Sequence, residues 1–290
     1  MRKIFRLLLW LITAPFRFLF WLLSFGDIRD AMSKPVEEDA TLGDVVDKVI
    51  ENPGGIVEHL VVLRRHLIRS VVLLACTTGA SFLFIHRILE FLAQPIEGGL
   101  SSLVAIEVTE PIGTVMRVSL LSGFAIAFPY IAYQVWLFVA PAMIDRRNRI
   151  YSLFAIPIAT IFFLGGMSFA YFVMLPVALP FLLNFMGIST IPRPSNYITF
   201  VTGIMFWIGI AFEFPLVIYL LARLGVIKPD MLTDQWRLAI VLIFVVAAFI
   251  TPTVDPVNMS LVAGPMILLY FLSILLAKIA HRSRLRRAAI

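Results

Sequence analysis

The stretch ITFVTGIMFWIGIAFEFPLVIYLLA occupies residues 198–222, and Glu213 is its only charged side chain. An α-helix rises 1.5 Å per residue and needs roughly 20 apolar residues to cross about 30 Å of hydrocarbon, so this stretch can span a bilayer. Pro215 removes one backbone donor, and neighbouring helices can satisfy the freed carbonyl in a membrane bundle. The stretch therefore predicts a transmembrane helix.

Five other apolar stretches repeat this pattern, at 68–85, 114–140, 151–175, 238–251 and 258–277. The stretch that ends at Thr251-Pro252 is short, which implies local thinning of the bilayer or shelter by neighbouring helices. Composition agrees, because 60% of the residues are hydrophobic and 14% are charged. Soluble domains have typically about 45–50% apolar and about 25% charged residues. The sequence predicts an all-α polytopic membrane protein with six transmembrane helices, which prolines inside the stretches bend into a curved bundle.

Arginine and lysine predict the orientation of these spans. One side carries three, Arg87, Arg117 and Arg193. The other carries fourteen, namely Arg64, Arg65, Arg69, Arg146, Arg147, Arg149, Arg223, Lys228, Arg237, Lys278, Arg282, Arg284, Arg286 and Arg287. The richer side is cytoplasmic by the positive-inside rule, so both termini of this multi-pass inner-membrane protein are predicted to be inside. Trp136 and Trp236 fall at the predicted cytoplasmic boundaries.

The net charge of +6 does not indicate nucleic acid, because the basic residues lie between apolar stretches and not on one continuous face. We interpret them as topology determinants with anionic lipid headgroups as contacts.

Four regions are predicted along the chain. Residues 1–25 place Arg2, Arg6, Thr13, Arg17 and Ser24 within about 60° on a helix, which favours an amphipathic helix lying in the membrane interface. A seventh span, which would bury Arg17, is the alternative, and no small-residue site supports a cleaved signal peptide. Residues 26–50 are predicted to be a cytoplasmic linker, 51–278 the six-helix membrane domain and 279–290 a basic cytoplasmic tail.

Glu213 is the chemically unusual group inside the membrane. In one interpretation its carboxyl group is protonated and hydrogen-bonded to a backbone carbonyl that Pro215 leaves free. In the other it is a polar residue in a groove that receives a polypeptide or a proton. No metal, nucleophile or phosphate-binding motif accompanies it, and the four histidines lack metal-ligand spacing. The sequence therefore predicts neither an enzyme nor a cofactor. The lone Cys76 excludes an intramolecular disulfide.

A series of motifs over about residues 56–278 matches one known family in order and spacing. They are His59-Leu60 with Leu63-Arg64, Thr109-Glu110-Pro111, Phe128-Pro129, Tyr133-Gln134-Val135-Trp136-Leu137-Phe138 with Ala140-Pro141, Phe169-Ala170-Tyr171-Phe172 with Pro176, Phe212-Glu213-Phe214-Pro215, Thr251-Pro252 and Asp255-Pro256. The chain thus resembles TatC, the polytopic receptor subunit of the twin-arginine protein translocase. The resemblance implies a six-span, glove-shaped bundle that recognises twin-arginine signal peptides, recruits single-span TatA- and TatB-type partners and exports folded proteins with the proton-motive force.

The chain departs from this family at three positions. The resemblance implies glutamates at the positions of Val62 and Arg147, where carboxylates hold the two guanidinium groups, and a glutamine at the position of Met259. Glu58 shares a helical face with Val62 and Asp145 lies two residues from Arg147, so each could compensate. The predicted signal-peptide and partner-binding set is therefore Glu58, Arg64, Glu110, Gln134, Asp145, Glu213, Thr251 and Asn258.

Three interpretations follow from the sequence. The first is a translocase receptor with a relocated acidic site, and the second is a divergent TatC-like scaffold of another membrane complex that does not recognise twin-arginine signals. The third is a small-molecule or ion transporter, against which stand the lack of an inverted repeat and the presence of only one deep carboxylate.

Overall fold

A computed structural model describes residues 54–96, 98–140, 152–184, 190–251 and 255–288, with side chains described between 60 and 282. All regular structure in these ranges is helical. The predictions for residues 1–25 and 26–50 lie outside the described residues. The α-helices are α1 (Gly54–Ser81), α2 (Ile85–Ala93), α3 (Glu110–Val139), α4 (Ala155–Phe169), α5 (Leu175–Leu183), α6 (Pro194–Leu224), α7 (Pro229–Asp234), α8 (Trp236–Ile250) and α9 (Pro256–Ala288).

Short turns of other helix types connect some of these elements. A 3₁₀ turn, Phe82–Phe84, joins α1 to α2, and a π-helical turn, Ala170–Met174, joins α4 to α5. A further 3₁₀ turn, Gly99–Ser102, precedes α3, and Gly225 ends α6 with a positive φ of 81°, a conformation that glycine adopts without steric cost.

Five helical stretches within the described residues are long and apolar enough to cross a membrane: Leu60–Ala93, Glu110–Val139, Ala155–Leu183, Pro194–Leu224 and Pro256–Arg282. The sixth apolar helix, α8, has only 15 residues, as the short stretch predicted. These helices confirm the predicted all-α membrane fold. The third stretch continues to Leu183, well beyond the predicted boundary at 175, and α9 continues through most of the predicted basic tail.

The chain divides into two compact units. The first contains the described residues between 54 and 75 and between 127 and 156. Its core is formed by Trp136, Leu137 and Ala140, with Tyr133 and Ile156 packed against them. The Trp136 indole is only 7% exposed and donates through Nε1 to Ser152 Oγ at 2.8 Å, so this tryptophan packs in the unit's interior, and its position at the cytoplasmic boundary stays a prediction.

The second unit contains residues 76–126 and 157–290. Its core lies along α6, where Ile198, Val201, Ile204 and Ile208 are almost fully buried at helical spacing. At the end of the same helix, Ile218 and Ala222 form a cluster with Ala277 and Ala280 of α9. The small alanines leave room for close approach of the two helices.

Glycine makes the α4–α6 contact possible. A Cβ built on Gly166 would lie 2.9 Å from Gly209 Cα and 2.9 Å from the Ile208 carbonyl oxygen. The two backbones therefore touch at this point. A second contact of this kind brings Gly123 of α3 against Thr78 of α1 in the same unit, and Thr77 Oγ1 donates to the Gly123 carbonyl at 2.8 Å.

Two tyrosines donate hydrogen bonds to backbone carbonyl groups at the end of α2. Tyr171 Oη donates to the Phe91 carbonyl at 2.6 Å, and Tyr197 Oη donates to the Leu92 carbonyl at 2.8 Å. The Tyr171 ring also stacks on Phe91 with centroids 4.4 Å apart. Tyr171 lies in the π-helical turn, so the turn delivers this hydroxyl to the end of α2.

Candidate functional site

Glu213 lies in the α4–α6 contact region, one helical turn after Gly209 on α6. Its side chain is half-buried, and the main chain of Phe163 in α4 lies within reach of the carboxyl group. One carboxyl oxygen, Oε1, is buried without a hydrogen-bond partner among the described residues. A buried polar atom without a partner costs free energy, so this oxygen is suited to accept a hydrogen bond from a group outside the chain.

Glu110, at the start of α3, is buried and carries its own counter-ion. Arg193, the residue before α6, contacts the Glu110 carboxylate and lies 2.9 Å from Glu107 Oε1 through Nη2. The Glu110 side chain is 3% exposed, whereas that of Glu107 is 65% exposed. These hydrogen bonds raise the pKa of Arg193 above its ordinary value. The bond to Glu107 contributes most and the bond to Glu110 comes next. The cluster ties residue 107 and the start of α3 to the start of α6.

A polar cavity of about 370 Å³ opens beside this ion-pair cluster. Glu107, Glu110, Arg117, Arg193 and Asn196 contribute to its wall. Arg117 is exposed and donates to Thr199 on α6. The charged groups in the wall balance in sign, so the cavity favours neither a cation nor an anion by net charge.

Gln134 belongs to a buried hydrogen-bond chain in the first unit. His66 Nδ1 lies 2.6 Å from Gln134 Oε1, and Gln134 Nε2 donates to Tyr130 Oη at 2.5 Å. Because the amide nitrogen faces Tyr130, the amide oxygen accepts from Nδ1–H of His66. His66 is 6% exposed and Gln134 is 1% exposed, so this chain fixes the inner face of α1 against α3.

The opposite face of α1 carries Arg64, which is exposed. It lines an open depression of about 200 Å³ together with Val61, Arg65 and Ile68. The surface is basic. Glu58 lies on α1, but its side chain is outside the described residues, as is all of Asp145.

Thr251 and Asn258 flank the start of α9 in the second unit. Asp255 caps the helix, because its Oδ1 accepts from the Asn258 backbone N–H at 2.7 Å and its Oδ2 accepts from Asn258 Nδ2 at 2.8 Å. Asn258 is 2% exposed, and its Oδ1 has no hydrogen-bond partner among the described residues. Thr251 is 4% exposed and donates to the Ala247 carbonyl at 3.0 Å. Asn258 Oδ1 is thus a second buried acceptor suited to an incoming donor.

The predicted site residues therefore fall into several separate groups, and their shared role stays a prediction. Our reading of the sequence missed two partners, which are His66 for Gln134 and Arg193 for Glu110. In the sequence, His66 is only one of four histidines without metal-ligand spacing, and Arg193 is only one of the basic residues that predict the topology. A buried amide or carboxylate in an apolar stretch implies a polar partner, and this could have indicated that such partners exist. The sequence does not identify which residue is the partner.

Comparisons with known proteins agree with this fold. Residues 58–265 match the family model described as Sec-independent protein translocase protein (TatC). The Sec-independent protein translocase protein TatC of Koribacter versatilis is 36% identical over 79% of this chain and 87% of that protein. The protein of the same description from Aquifex aeolicus is 37% identical over 78% of this chain and 96% of that protein.

Solved structures give the same result. A crystal structure described as the twin arginine translocase receptor TatC superposes with a TM-score of 0.68 and 38% sequence identity. The match covers 77% of this chain and 99% of that one. A second crystal structure of that receptor, in DDM, also has a TM-score of 0.68 and is 36% identical. Sequence and backbone therefore lead to one conclusion: this chain belongs to the TatC family of Sec-independent protein translocase proteins.

Proposed function

We propose that this chain is the receptor subunit of a twin-arginine translocase, which binds twin-arginine signal peptides and exports folded proteins with the proton-motive force. The observation that carries the proposal is the backbone match to 99% of a solved twin arginine translocase receptor at 38% identity. Single-span TatA- and TatB-type proteins are its proposed partners, and anionic lipids contact its basic boundary residues.

The proposed topology places both termini in the cytoplasm. Its support is the distribution of fourteen basic residues on one side against three on the other. In this orientation the segment between α2 and α3, with Ser101, faces outside, and Ser283 near the C-terminus faces the cytoplasm. With Cys76 replaced by serine, single cysteines at these two positions should react with a membrane-impermeant thiol reagent from opposite sides. Labelling of both from one side would refute this topology.

Glu213 and Asn258 are proposed to receive polar groups of partner spans or of the transported chain. The support is that Glu213 Oε1 and Asn258 Oδ1 are both buried acceptors without a described partner. Glu213→Gln keeps the shape and hydrogen-bonding capacity but removes the charge, so it should leave folding intact and reduce export. Ser168→Ala on the exposed side of α4 is the control, because its hydroxyl bonds only within its own helix. Normal export and unchanged crosslinks to partners in the Glu213→Gln variant would show that the carboxylate is only structural.

A second candidate function, a scaffold without signal recognition, follows from one specific position. Val62 is a half-buried valine on α1, and the resemblance implies a glutamate there. The other implied glutamate position, Arg147, lies outside the described residues.

Restoring both carboxylates tests the two functions against each other. A charge-assisted hydrogen bond contributes about 1.5–3 kcal/mol, or roughly tenfold or more in affinity. Val62→Glu with Arg147→Glu should thus tighten the binding of a twin-arginine peptide at least tenfold. The matched control shifts one carboxylate by a single residue, about 100° around α1, as Leu63→Glu with Arg147→Glu. A wild type that binds tightly and is weakened by Glu58→Ala supports a receptor with a relocated acidic site. A wild type that never binds, while the restored variant does, supports the scaffold.

A further inference from the structure

The polar cavity of about 370 Å³ lies where the first turns of α3 and α6 meet, inside the second unit. Glu107 and Glu110 contribute carboxylates to its wall, and Arg117 and Arg193 contribute guanidinium groups. Pockets that bind small ligands have volumes of about 300–1,000 Å³, so the cavity lies at the lower end of this range. Its size and its wall suit a small polar ligand or the polar end of a larger one.

The two kinds of charge in the wall are separated along α3. Arg193 contacts both Glu107 and Glu110, so one guanidinium faces two carboxylates and this cluster keeps a net negative charge. Glu110 is buried, whereas the Glu107 side chain is 65% exposed, so the surplus negative charge is accessible at Glu107. Among the described residues no carboxylate lies within ion-pair distance of Arg117, which donates to the neutral Thr199 hydroxyl. The cavity therefore has a negative end and a positive end.

The positive end lies deeper in the membrane than the negative end. The membrane-spanning stretch of α3 begins at Glu110, so Glu107 precedes the span. Arg117 lies seven residues after Glu110, or about 10.5 Å into the span. An arginine at this depth is costly unless it binds an acceptor. In a phospholipid headgroup the phosphate lies nearer to the hydrocarbon than the ammonium group does, so a zwitterionic headgroup has its charges in the same order as the cavity.

Donors from two helices converge where the phosphate would lie. Arg117 has five N–H donors in its guanidinium group, and one of them bonds to Thr199 of α6. Ser195 and Asn196 in the first turn of α6 also line the cavity. The first N–H groups of a helix have no partner within the helix, and Arg193 at the N-cap makes no side-chain cap bond. A phosphate between Arg117 and the start of α6 would therefore receive charge-assisted bonds.

An exposed apolar stripe leads from the cavity along α3 towards the membrane interior. Ile112 is 67% exposed, and Met116 and Leu120 are each 53% exposed. These residues are four apart, so they lie on one face of the helix. Gly113, which lines the cavity beside this stripe, leaves open space, because a Cβ there would meet nothing within 4 Å. The surface thus suits a ligand that has both a polar headgroup and a hydrocarbon chain.

We propose that this cavity binds the phosphoethanolamine headgroup of a phospholipid, with the phosphate at Arg117 and the primary ammonium at Glu107. The ammonium group has three N–H donors for the carboxylate, whereas the trimethylammonium group of phosphocholine has none. The same chemistry occurs in soluble phosphoethanolamine compounds, and the apolar stripe selects the lipid. The headgroup is zwitterionic, so the site differs from the contacts of anionic lipids with the basic boundary residues. The proposal does not depend on the translocase function.

Native mass spectrometry of the full-length protein in a non-ionic detergent tests the site. The protein is mixed with equal amounts of phosphatidylethanolamine, phosphatidylcholine and phosphatidylglycerol that carry identical acyl chains. The wild type should retain phosphatidylethanolamine about fivefold more than either of the other two, which is the gain expected from one further exposed ion pair.

Charge variants then separate the two ends of the headgroup. Glu107→Gln should lower the retention of phosphatidylethanolamine to that of phosphatidylglycerol and leave phosphatidylglycerol unchanged, because only the ammonium loses its acceptor. Arg117→Gln should weaken all three lipids, because each has a phosphate. Glu90→Gln and Arg87→Gln are the matched controls, because they remove the same charges from exposed positions of α2. Both controls should bind the three lipids as the wild type does.

Three outcomes would overturn the proposal. The first is equal retention of the three lipids by the wild type, or a preference that Glu107→Gln leaves unchanged. The second is an equal loss of all three lipids in Glu107→Gln and Arg117→Gln, which would show a structural effect in place of headgroup recognition. The third concerns soluble competitors, because phosphatidylethanolamine should resist displacement by glycerophosphoethanolamine or inorganic phosphate at equal concentration. Displacement by either would identify a soluble ligand as the occupant.

Discussion

Replacing Gly166 by alanine is the sharpest test of the packing that holds α4 against α6. The added Cβ would lie 2.8 Å from the Phe212 ring and 2.9 Å from two backbone atoms of α6. Carbon atoms prefer separations of about 3.5–4.0 Å, so the two helices must move apart by several tenths of an ångström. Backbone atoms cannot rotate away as a flexible side chain can. Overpacking of this kind costs about 1–3 kcal/mol.

The neighbouring Gly165 provides a matched control. Its Cβ would meet nothing within 4 Å, and the residue is exposed. Alanine is favoured over glycine in a helix by about 0.5–1 kcal/mol, so Gly165→Ala should be neutral or stabilising. The two variants add the same methyl group to adjacent positions of one helix. The gain in helix propensity is common to both variants and cancels, so the expected difference in the free energy of unfolding between them is the overpacking cost of about 1–3 kcal/mol.

Denaturation by SDS in mixed micelles, followed by circular dichroism, measures this difference. Gly166→Ala should unfold at a lower SDS fraction than the wild type, and Gly165→Ala at the same or a higher fraction. Gly166→Ala should also reduce export in a folded preparation, because α6 carries Glu213 one turn beyond Gly209. Equal midpoints for the two variants would refute the backbone contact, and a lower midpoint for Gly165→Ala alone would contradict both the packing assignment and the expected gain in helix propensity.

Two further predictions concern buried polar groups. Arg193→Gln should destabilise the protein more than Glu107→Gln, because the first leaves the buried Glu110 without its counter-ion whereas Glu107 is exposed. Similar SDS midpoints for the two variants would contradict this assignment. His66→Leu and Gln134→Leu should each cost about 1–3 kcal/mol by leaving a buried partner unsatisfied, and the double variant should cost less than the sum. Strict additivity in this double-mutant cycle would show that the two side chains are not coupled.

Local sequence was sufficient to predict the helical membrane architecture. A span reveals itself without reference to the rest of the chain, because a helix in lipid satisfies its own backbone and needs only length and apolar side chains. The stretch 198–222 became part of α6, and the short stretch that ends at Thr251 became the 15-residue α8. The unusual carboxylate of Glu213 was evident for the same reason, since any charge in such a run stands out.

Tertiary structure alone decided which polar groups pair and where backbones touch. Arg193 contacts Glu110 across 83 positions and His66 contacts Gln134 across 68, and the sequence holds many other arginines, carboxylates and amides that satisfy the same chemistry. The roles of Gly165 and Gly166 differ just as sharply, although the two are adjacent and identical. The charge and size of a side chain limit which residues can be its partner. Only the packing of the helices brings one of these residues within hydrogen-bond or van der Waals distance, because the energy of such contacts decreases steeply within a few ångströms.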